Sequence, residues 1–86
     1  MIKRFTIVDE AGLHARPASL LVQKAATYPN DIFIEFNGKR LTLKSIMAVM
    51  SLGVPQNSVI AIDVEGENDA DIMAALEKVL VDNNLI

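Results

Sequence analysis

The sequence contains no cysteine and only one histidine among its 86 residues. Without cysteine the chain forms neither a disulfide nor a thiolate metal site, and this composition is compatible with a reducing cytoplasm. A single histidine also excludes the metal sites that use two or three imidazole ligands. We therefore expect no metal and no cofactor, and we predict a cytoplasmic protein.

Basic residues are in the minority, and long apolar runs are missing. Eight Lys and Arg residues against eleven Asp and Glu residues give a formal net charge of -3 and a pI of about 4.9. This balance argues against direct nucleic-acid binding through a general basic surface. No apolar run approaches the roughly 18 residues of a membrane span. Asp9 and Glu10 stand where a signal peptide would have its apolar core, so we expect a soluble chain that begins at Met1.

The length predicts one domain over residues 1–86, with any chemistry on its surface. Apolar residues at alternate positions predict four strands, near residues 3–8, 32–36, 41–43 and 60–64. Asn37-Gly38 predicts a two-residue hairpin between the second and third strands. Helical spacing predicts three helices, which run from Arg16-Pro17 to Ala26 or Thr27, from Ser45 to Gly53, and onward from a cap at Asn68 or Asp69.

The resulting order is β-α-β-β-α-β-α. Four short strands each need one apolar face covered, and three helices can cover it. The pattern therefore predicts a two-layer sandwich with helices on one side of the sheet and water on the other. Only the pairing of the second and third strands can be predicted from the turn that joins them.

The segment Gly12–Pro17 places His14 just before a predicted helix start, because proline suits the first helical turn. The N–H groups exposed there disfavour a positive charge on the ring, and a neutral imidazole is a nucleophile. The same N–H groups would stabilise a phosphoryl group on the ring, and Arg16 could contact its oxygens. The alternative is that His14 only caps the helix or lies in solvent, and that Arg16 is an ordinary solvated side chain.

The second notable segment is Lys44–Gly53, with Ser45 at the N-cap position of a short helix. A serine there can be purely structural, because its hydroxyl accepts a hydrogen bond from a backbone N–H. A phosphate at the same position would also be favoured by the helix end, so the position suits a regulatory switch.

The helix after Ser45 is apolar around most of its circumference. We expect Ile46 and Val49 to face the sheet with Leu52 or Gly53, while Met47 and Met50 point elsewhere. Exposed methionines suit adaptable protein contacts. The alternative is that both methionines pack under a neighbouring loop. Leu20 lies off the apolar stripe of the first helix and either extends this apolar surface or is an ordinary exposed leucine.

Gly12–Ala18 together with Lys44–Gly53 resemble the HPr family, the histidine-containing phosphocarriers of the bacterial phosphoenolpyruvate:sugar phosphotransferase system. The resemblance spans the chain in length and element order. It implies an α+β fold, an open-faced β-sandwich whose four-stranded antiparallel sheet is covered on one face by three helices. By this resemblance His14 accepts a phosphoryl group on Nδ1 from enzyme I and passes it to the IIA component of a sugar permease. Arg16 matches the family's active-site arginine.

The resemblance also implies regulation and a docking surface. Ser45 matches the serine that an ATP-dependent HPr kinase/phosphorylase modifies in Gram-positive bacteria, and residues 46–52 are similar to that branch rather than to the enteric one. In that branch the seryl-phosphorylated form acts as corepressor with a catabolite control regulator. The residues that fall on the family's partner-binding surface are Leu20, Ile46, Met47 and Met50. We expect a monomer.

Two positions depart from the family pattern. Ala48 stands where many members have glycine, and Pro55-Gln56-Asn57 replaces a turn that commonly contains one. Neither change touches Gly12–Pro17. The leading hypothesis is a phosphocarrier without turnover of its own. The alternatives are a purely regulatory interaction module that acts through Ser45, and a small-molecule enzyme, which would require an enclosed pocket.

Overall fold

Seven short elements follow one another in the predicted order. The computed structural model describes all 86 residues. Its elements are β1 (Ile2–Thr6), α1 (Ala15–Ala26), β2 (Ile32–Phe36), β3 (Lys39–Thr42), α2 (Ile46–Ser51), β4 (Val59–Val64) and α3 (Asp69–Asp82). The β-α-β-β-α-β-α prediction is therefore confirmed.

The four strands form one antiparallel sheet in the order β1-β4-β2-β3. The β2–β3 hairpin turns at Asn37 and Gly38, whose φ angles are 51° and 80°. Both residue types tolerate positive φ, so the predicted hairpin is confirmed. β1 pairs only with β4, and Ile2 lies opposite Asp63. The last strand therefore occupies the interior of the sheet and joins the first strand to the hairpin.

The helices cover one face of this sheet. The predicted apolar stripe of α1 is buried as a set, namely Ala18, Leu21, Val22 and Ala25. Facing it, the strands contribute isoleucines that are at most 1% exposed, namely Ile32, Ile34, Ile60 and Ile62. Burial of each such large side chain contributes about 1.5–3 kcal/mol to the stability of the fold, compared with leaving it exposed. The helices are therefore held on the sheet mainly by this apolar packing.

The opposite face of the sheet is polar and open to solvent. Asp63 is the one buried charged residue, and its carboxylate lies 2.8 Å from Arg40 Nη2. The Arg40 guanidinium also contacts Glu35 at 2.5 Å and lies 4.1 Å from the centre of the Phe33 ring. The hydrogen bond to Asp63, followed by the one to Glu35, raises the pKa of Arg40 above its ordinary value. The open-faced, two-layer architecture is thus confirmed.

Three predicted boundaries or orientations are wrong. β1 ends at Thr6, although the buried Ile7 still donates to the Ser58 carbonyl, and Val8 is exposed. β3 ends before the buried Leu43. Ile46 does not face the sheet but is 37% exposed, because Val49 and Leu52 suffice to seat so short a helix.

The start of α3 also differs from the prediction. Asn68 occupies the N-cap position but has a φ of 60°, and its side chain makes no capping hydrogen bond. Asp69 is already helical, and its Oδ1 accepts from the adjacent Ala70 N–H at 2.8 Å. An N-cap residue normally has extended backbone, which the left-handed Asn68 lacks, so neither residue caps α3 in the expected way.

Candidate functional site

A tight turn between β1 and α1 fixes the position of His14. Gly12 has a φ of 66°, and its N–H donates to the Asp9 carbonyl at 2.9 Å. A Cβ on this glycine would lie 2.2 Å from the Val54 carbonyl oxygen, which also accepts from the Leu13 N–H at 3.0 Å. Only glycine fits such a close approach, so the turn is anchored on the segment that follows α2.

His14 lies just before α1, as the sequence predicts, and it is the N-cap residue because the helix begins at Ala15, one residue earlier than the predicted start. Its backbone is extended, with φ and ψ of -87° and 173°, and its carbonyl accepts from the Ala18 N–H at 3.0 Å. The side chain makes no capping hydrogen bond and is 42% exposed. The alternative in which the imidazole serves as a helix cap is therefore wrong, and the ring is open to a reaction partner.

The first N–H groups of α1 are free to bind an anion. Ala15 and Arg16 donate to no acceptor within the chain, and the first turn carries no acidic side chain. A helix N-terminus carries roughly half a positive elementary charge. An anionic group on His14 would therefore meet both hydrogen-bond donors and a favourable dipole.

Arg16 is exposed and forms no salt bridge. The next residues, Pro17 and Ala18, are buried and hold the helix start against the core. The backbone at Arg16 is thus fixed while its guanidinium has no competing carboxylate. Such a group is suited to bind phosphoryl oxygens in a bidentate manner.

Asp9 belongs to the site, and sequence reasoning missed it. Its Oδ2 lies 3.3 Å from His14 Nε2, while its Oδ1 accepts from the Ala11 N–H at 2.8 Å. The hydrogen bond from Ala11, followed by the contact with His14, lowers the pKa of the Asp9 carboxyl below its ordinary value. In the sequence, Asp9 is only a residue that breaks a strand pattern. An aspartate shortly before a glycine in a turn was the sole local signal.

Ser45 is the N-cap residue of α2, and the predicted cap is confirmed. Its Oγ accepts from the Ala48 N–H at 3.2 Å. The adjacent Lys44 donates from Nζ to the Tyr28 carbonyl at 2.7 Å, beyond the end of α1. The start of α2 is therefore tied both to its own first turn and to the segment that follows α1.

Four apolar side chains remain uncovered on α1 and α2. Met47 is 82% exposed, and the other three, Leu20, Ile46 and Met50, are between 37% and 42% exposed. The alternative in which both methionines pack under a loop is wrong. We call these four residues the apolar patch.

The helices that carry the apolar patch, α1 and α2, both lead to the turn that carries His14. α1 and α2 pack against each other, and the segment after α2 reaches Val54, which contacts Gly12. The six residues of α2 rise about 9 Å along its axis, so Ser45 lies a comparable distance from that segment. His14, Ser45 and the apolar patch therefore lie on or beside two helices that pack against each other.

The remaining surface holds no group of three or more side chains suited to a metal ion. No helix has the length and apolar character needed to cross a bilayer. The four surface clefts lie away from His14. One of them, about 460 Å³, lies between residues 29–31 and 65–67.

Comparison with known proteins identifies a family for this chain. The family profile described as "PTS HPr component phosphorylation site" matches residues 2–82. The structure is similar to the histidine-containing phosphocarrier protein of Mycoplasma, with a TM-score of 0.96 and 35% identity over 100% of this chain and 98% of that chain. It is also similar to the phosphocarrier protein HPr of Bacillus anthracis, with a TM-score of 0.83 and 42% identity over 92% and 94% of the two chains.

A third similar structure is Crh, the catabolite repression protein of Bacillus subtilis. Its TM-score is 0.73 and its identity 32%, over 93% of this chain and 92% of that chain. That protein is described as a dimer with a swapped domain. Similar structures therefore include carriers and a protein of catabolite repression.

Proposed function

The chain belongs to the HPr family of phosphocarriers of the phosphotransferase system, and from this premise we propose that it carries the phosphoryl group on His14. The observation that supports this assignment most directly is the exposed imidazole at the start of α1, beside two N–H groups without acceptors. A phosphoryl group on the ring would be stabilised there by the helix dipole and by Arg16.

Nδ1 is the proposed acceptor nitrogen. Nε2 contacts Asp9 at 3.3 Å, whereas Nδ1 has no partner within the chain. In the transfer, the Nδ1 lone pair forms a bond to phosphorus while the bond between phosphorus and the donor atom breaks, and the electron pair of that bond stays on the donor. Arg16 stabilises charge on the equatorial oxygens during this step.

The partners in this proposal are enzyme I as donor and the IIA component of a sugar permease as acceptor, in the cytoplasm. Both would dock on the apolar patch, where flexible methionines can adapt to different surfaces. The protein is then a stoichiometric carrier rather than an independent catalyst, because the phosphoryl group enters and leaves on other proteins.

Ser45 is the proposed regulatory site. Its hydroxyl lies at a helix N-terminus, where a phosphate is favoured by the dipole, and it adjoins Ile46 and Met47 of the apolar patch. We propose that HPr kinase/phosphorylase modifies it with ATP and that the modified form binds a catabolite control regulator. The likeness to Crh supports this link to catabolite repression.

The acting unit in this proposal is a monomer, because His14, Arg16 and the apolar patch all lie on one chain. The dimer described for Crh makes a direct measurement worthwhile. Light scattering at working concentration reports the mass, and a dimer that alone accepts the phosphoryl group would contradict the monomer.

Phosphorus NMR after incubation with phosphoenolpyruvate and enzyme I tests the main proposal. We expect one phosphoryl group per chain, in an adduct that is acid-labile and alkali-stable. A purely regulatory module would give no such signal under these conditions. Steady turnover of a small substrate without any partner protein would instead favour an enzyme.

Replacement of Arg16 by alanine should impair transfer far more than folding. Loss of a charge-assisted contact to the phosphoryl oxygens slows phosphorylation by enzyme I about 10–100-fold. The melting temperature should change by about 2–4 °C at most, since an exposed, unpaired side chain contributes little to stability. Arg4→Ala, on the open face of the sheet, is the matched control. Parallel losses of stability and transfer in Arg16→Ala would make Arg16 a structural residue.

Replacement of Ser45 by aspartate should slow phosphorylation of His14 about tenfold. Aspartate still caps α2, so the fold is kept, but its charge adjoins the apolar patch on which enzyme I would dock. Ser45→Ala is the control, because it loses the cap, worth about 0.5–2 kcal/mol, without adding charge. Stopped-flow or quenched transfer assays give both rates. Equal phosphorylation rates for wild type and Ser45→Asp would show that Ser45 lies outside the surface on which enzyme I docks.

A further inference from the structure

We infer that Asp9 is a positioning residue that holds the His14 ring in the tautomer with its proton on Nε2. This inference rests on the proposed function of His14 and adds to it a residue outside the histidine-arginine pair. The contact joins Asp9 Oδ2 and His14 Nε2 at 3.3 Å. An ionised carboxylate can only accept hydrogen bonds, so this contact favours a proton on Nε2. In the neutral ring the lone pair is then on Nδ1.

The backbone holds the Asp9 carboxylate in place, which distinguishes this contact from a chance surface pair. Oδ1 accepts from the Ala11 N–H at 2.8 Å, and the main-chain carbonyl of Asp9 accepts from the Gly12 N–H at 2.9 Å. One carboxylate oxygen thus fixes the turn while the other faces the ring. The hydrogen bond from Ala11 also lowers the pKa of the Asp9 carboxyl, which keeps it an acceptor at neutral pH.

The same contact acts during transfer. When the Nδ1 lone pair bonds to phosphorus, Nε2 keeps its proton, and the ring gains a formal positive charge. Asp9 stabilises that charge by accepting from Nε2–H, in the way that a carboxylate orients and supports a catalytic histidine in other sites. In onward transfer the N–P bond breaks, its electron pair returns to Nδ1, and the ring becomes neutral again.

Asp9→Asn is the informative variant. It preserves the turn, but it replaces the hydrogen-bond acceptor that faces Nε2 with a donor. The amide oxygen can still accept from the Ala11 N–H, but the amide nitrogen then faces Nε2 as a donor. The ring should therefore move to the tautomer with its proton on Nδ1, which removes the attacking lone pair. Glu10→Gln is the matched control, since Glu10 is the adjacent exposed carboxylate and makes no contact with the ring. Asp9→Glu keeps the charge and tests rescue.

Two measurements on these variants decide the inference. Nitrogen NMR of the labelled, unphosphorylated ring, at a pH where it is neutral, reports the tautomer without any partner protein. Transfer from phosphorylated enzyme I reports the rate. We expect Asp9→Asn to shift the tautomer and to slow phosphorylation about tenfold, Asp9→Glu to recover part of both, and Glu10→Gln to change neither.

The possible outcomes distinguish a failure of the inference about Asp9 from a failure of the proposed function. An unchanged tautomer in Asp9→Asn, or a wild-type ring already protonated on Nδ1, would overturn the inference while leaving His14 as the acceptor. A shifted tautomer with an unchanged rate would show that Asp9 orients the ring and would overturn its role in the transfer step. If wild-type chain accepts no phosphoryl group, the proposed function fails, and the tautomer measurement still decides whether Asp9 orients the ring.

Discussion

Replacement of His14 by alanine should leave a folded chain that takes up no phosphoryl group from enzyme I. The ring is the only imidazole in the sequence, and the structure places it in the open, with one side-chain contact and no capping role. Loss of an exposed ring with one such contact should cost about 1 kcal/mol of stability or less. The loss of uptake, in contrast, should be complete.

Phosphorus NMR and thermal unfolding of the same samples check this prediction. His14→Gln is a second variant, which keeps a polar side chain but offers no nucleophilic nitrogen. ATP-dependent modification of Ser45 supplies an internal control, since it should persist in both variants if the fold and α2 are intact. An acid-labile adduct that survives in His14→Ala would place the phosphoryl group elsewhere and refute the assignment.

Replacement of Gly12 by alanine should be the most destabilising change in the turn before α1. The residue has a φ of 66°, and its new Cβ would lie 2.2 Å from the Val54 carbonyl oxygen and 2.9 Å from Pro55 Cα. Left-handed backbone costs an alanine about 1 kcal/mol. Displacement of two backbone segments adds about 2 kcal/mol. A loss of about 3 kcal/mol lowers the melting temperature of a domain this size by about 12–24 °C.

Gly38→Ala separates the cost of the left-handed backbone from the cost of the steric clash. Gly38 has a φ of 80°, but no heavy atom lies within 4 Å of the position that an alanine Cβ would occupy there, so only the backbone cost of about 1 kcal/mol applies. Denaturant unfolding gives both free energies. Equal losses in the two variants would show that the contact with Val54 does not strain the alanine. In Gly12→Ala we also expect slower phosphorylation, because the same turn carries Asp9 and His14.

The parts of the site that sequence reasoning predicted correctly depend on local chemistry. Pro17 and Ser45 mark helix starts through their own backbone and hydroxyl, so the start of α1, to within a residue, and the N-cap of α2 followed without knowledge of the rest of the fold. Asn37-Gly38 specified its hairpin in the same way. The apolar alternation of the strands predicted which face is buried.

The parts that it missed depend on backbone geometry and packing that residue type alone does not specify. Asp9 meets His14 across the turn at Gly12, which packs against Val54, some forty residues further along the chain. The outward position of Ile46 depends on how α1 and β3 seat a helix of six residues, which has too few turns to define its own buried side. At Asn68, residue type predicts a cap, whereas the left-handed backbone decides the outcome.

The position of β4 inside the sheet has a consequence for protein synthesis. β1 has no neighbour other than β4, and the turn that carries His14 rests on Val54, just before β4. A nascent chain on the ribosome that has emerged only as far as α2 therefore lacks the strand that would seat its N-terminal segment. Non-local pairing of this kind forms late. We therefore expect the turn that carries His14, the proposed acceptor, to assemble only once β4 has emerged.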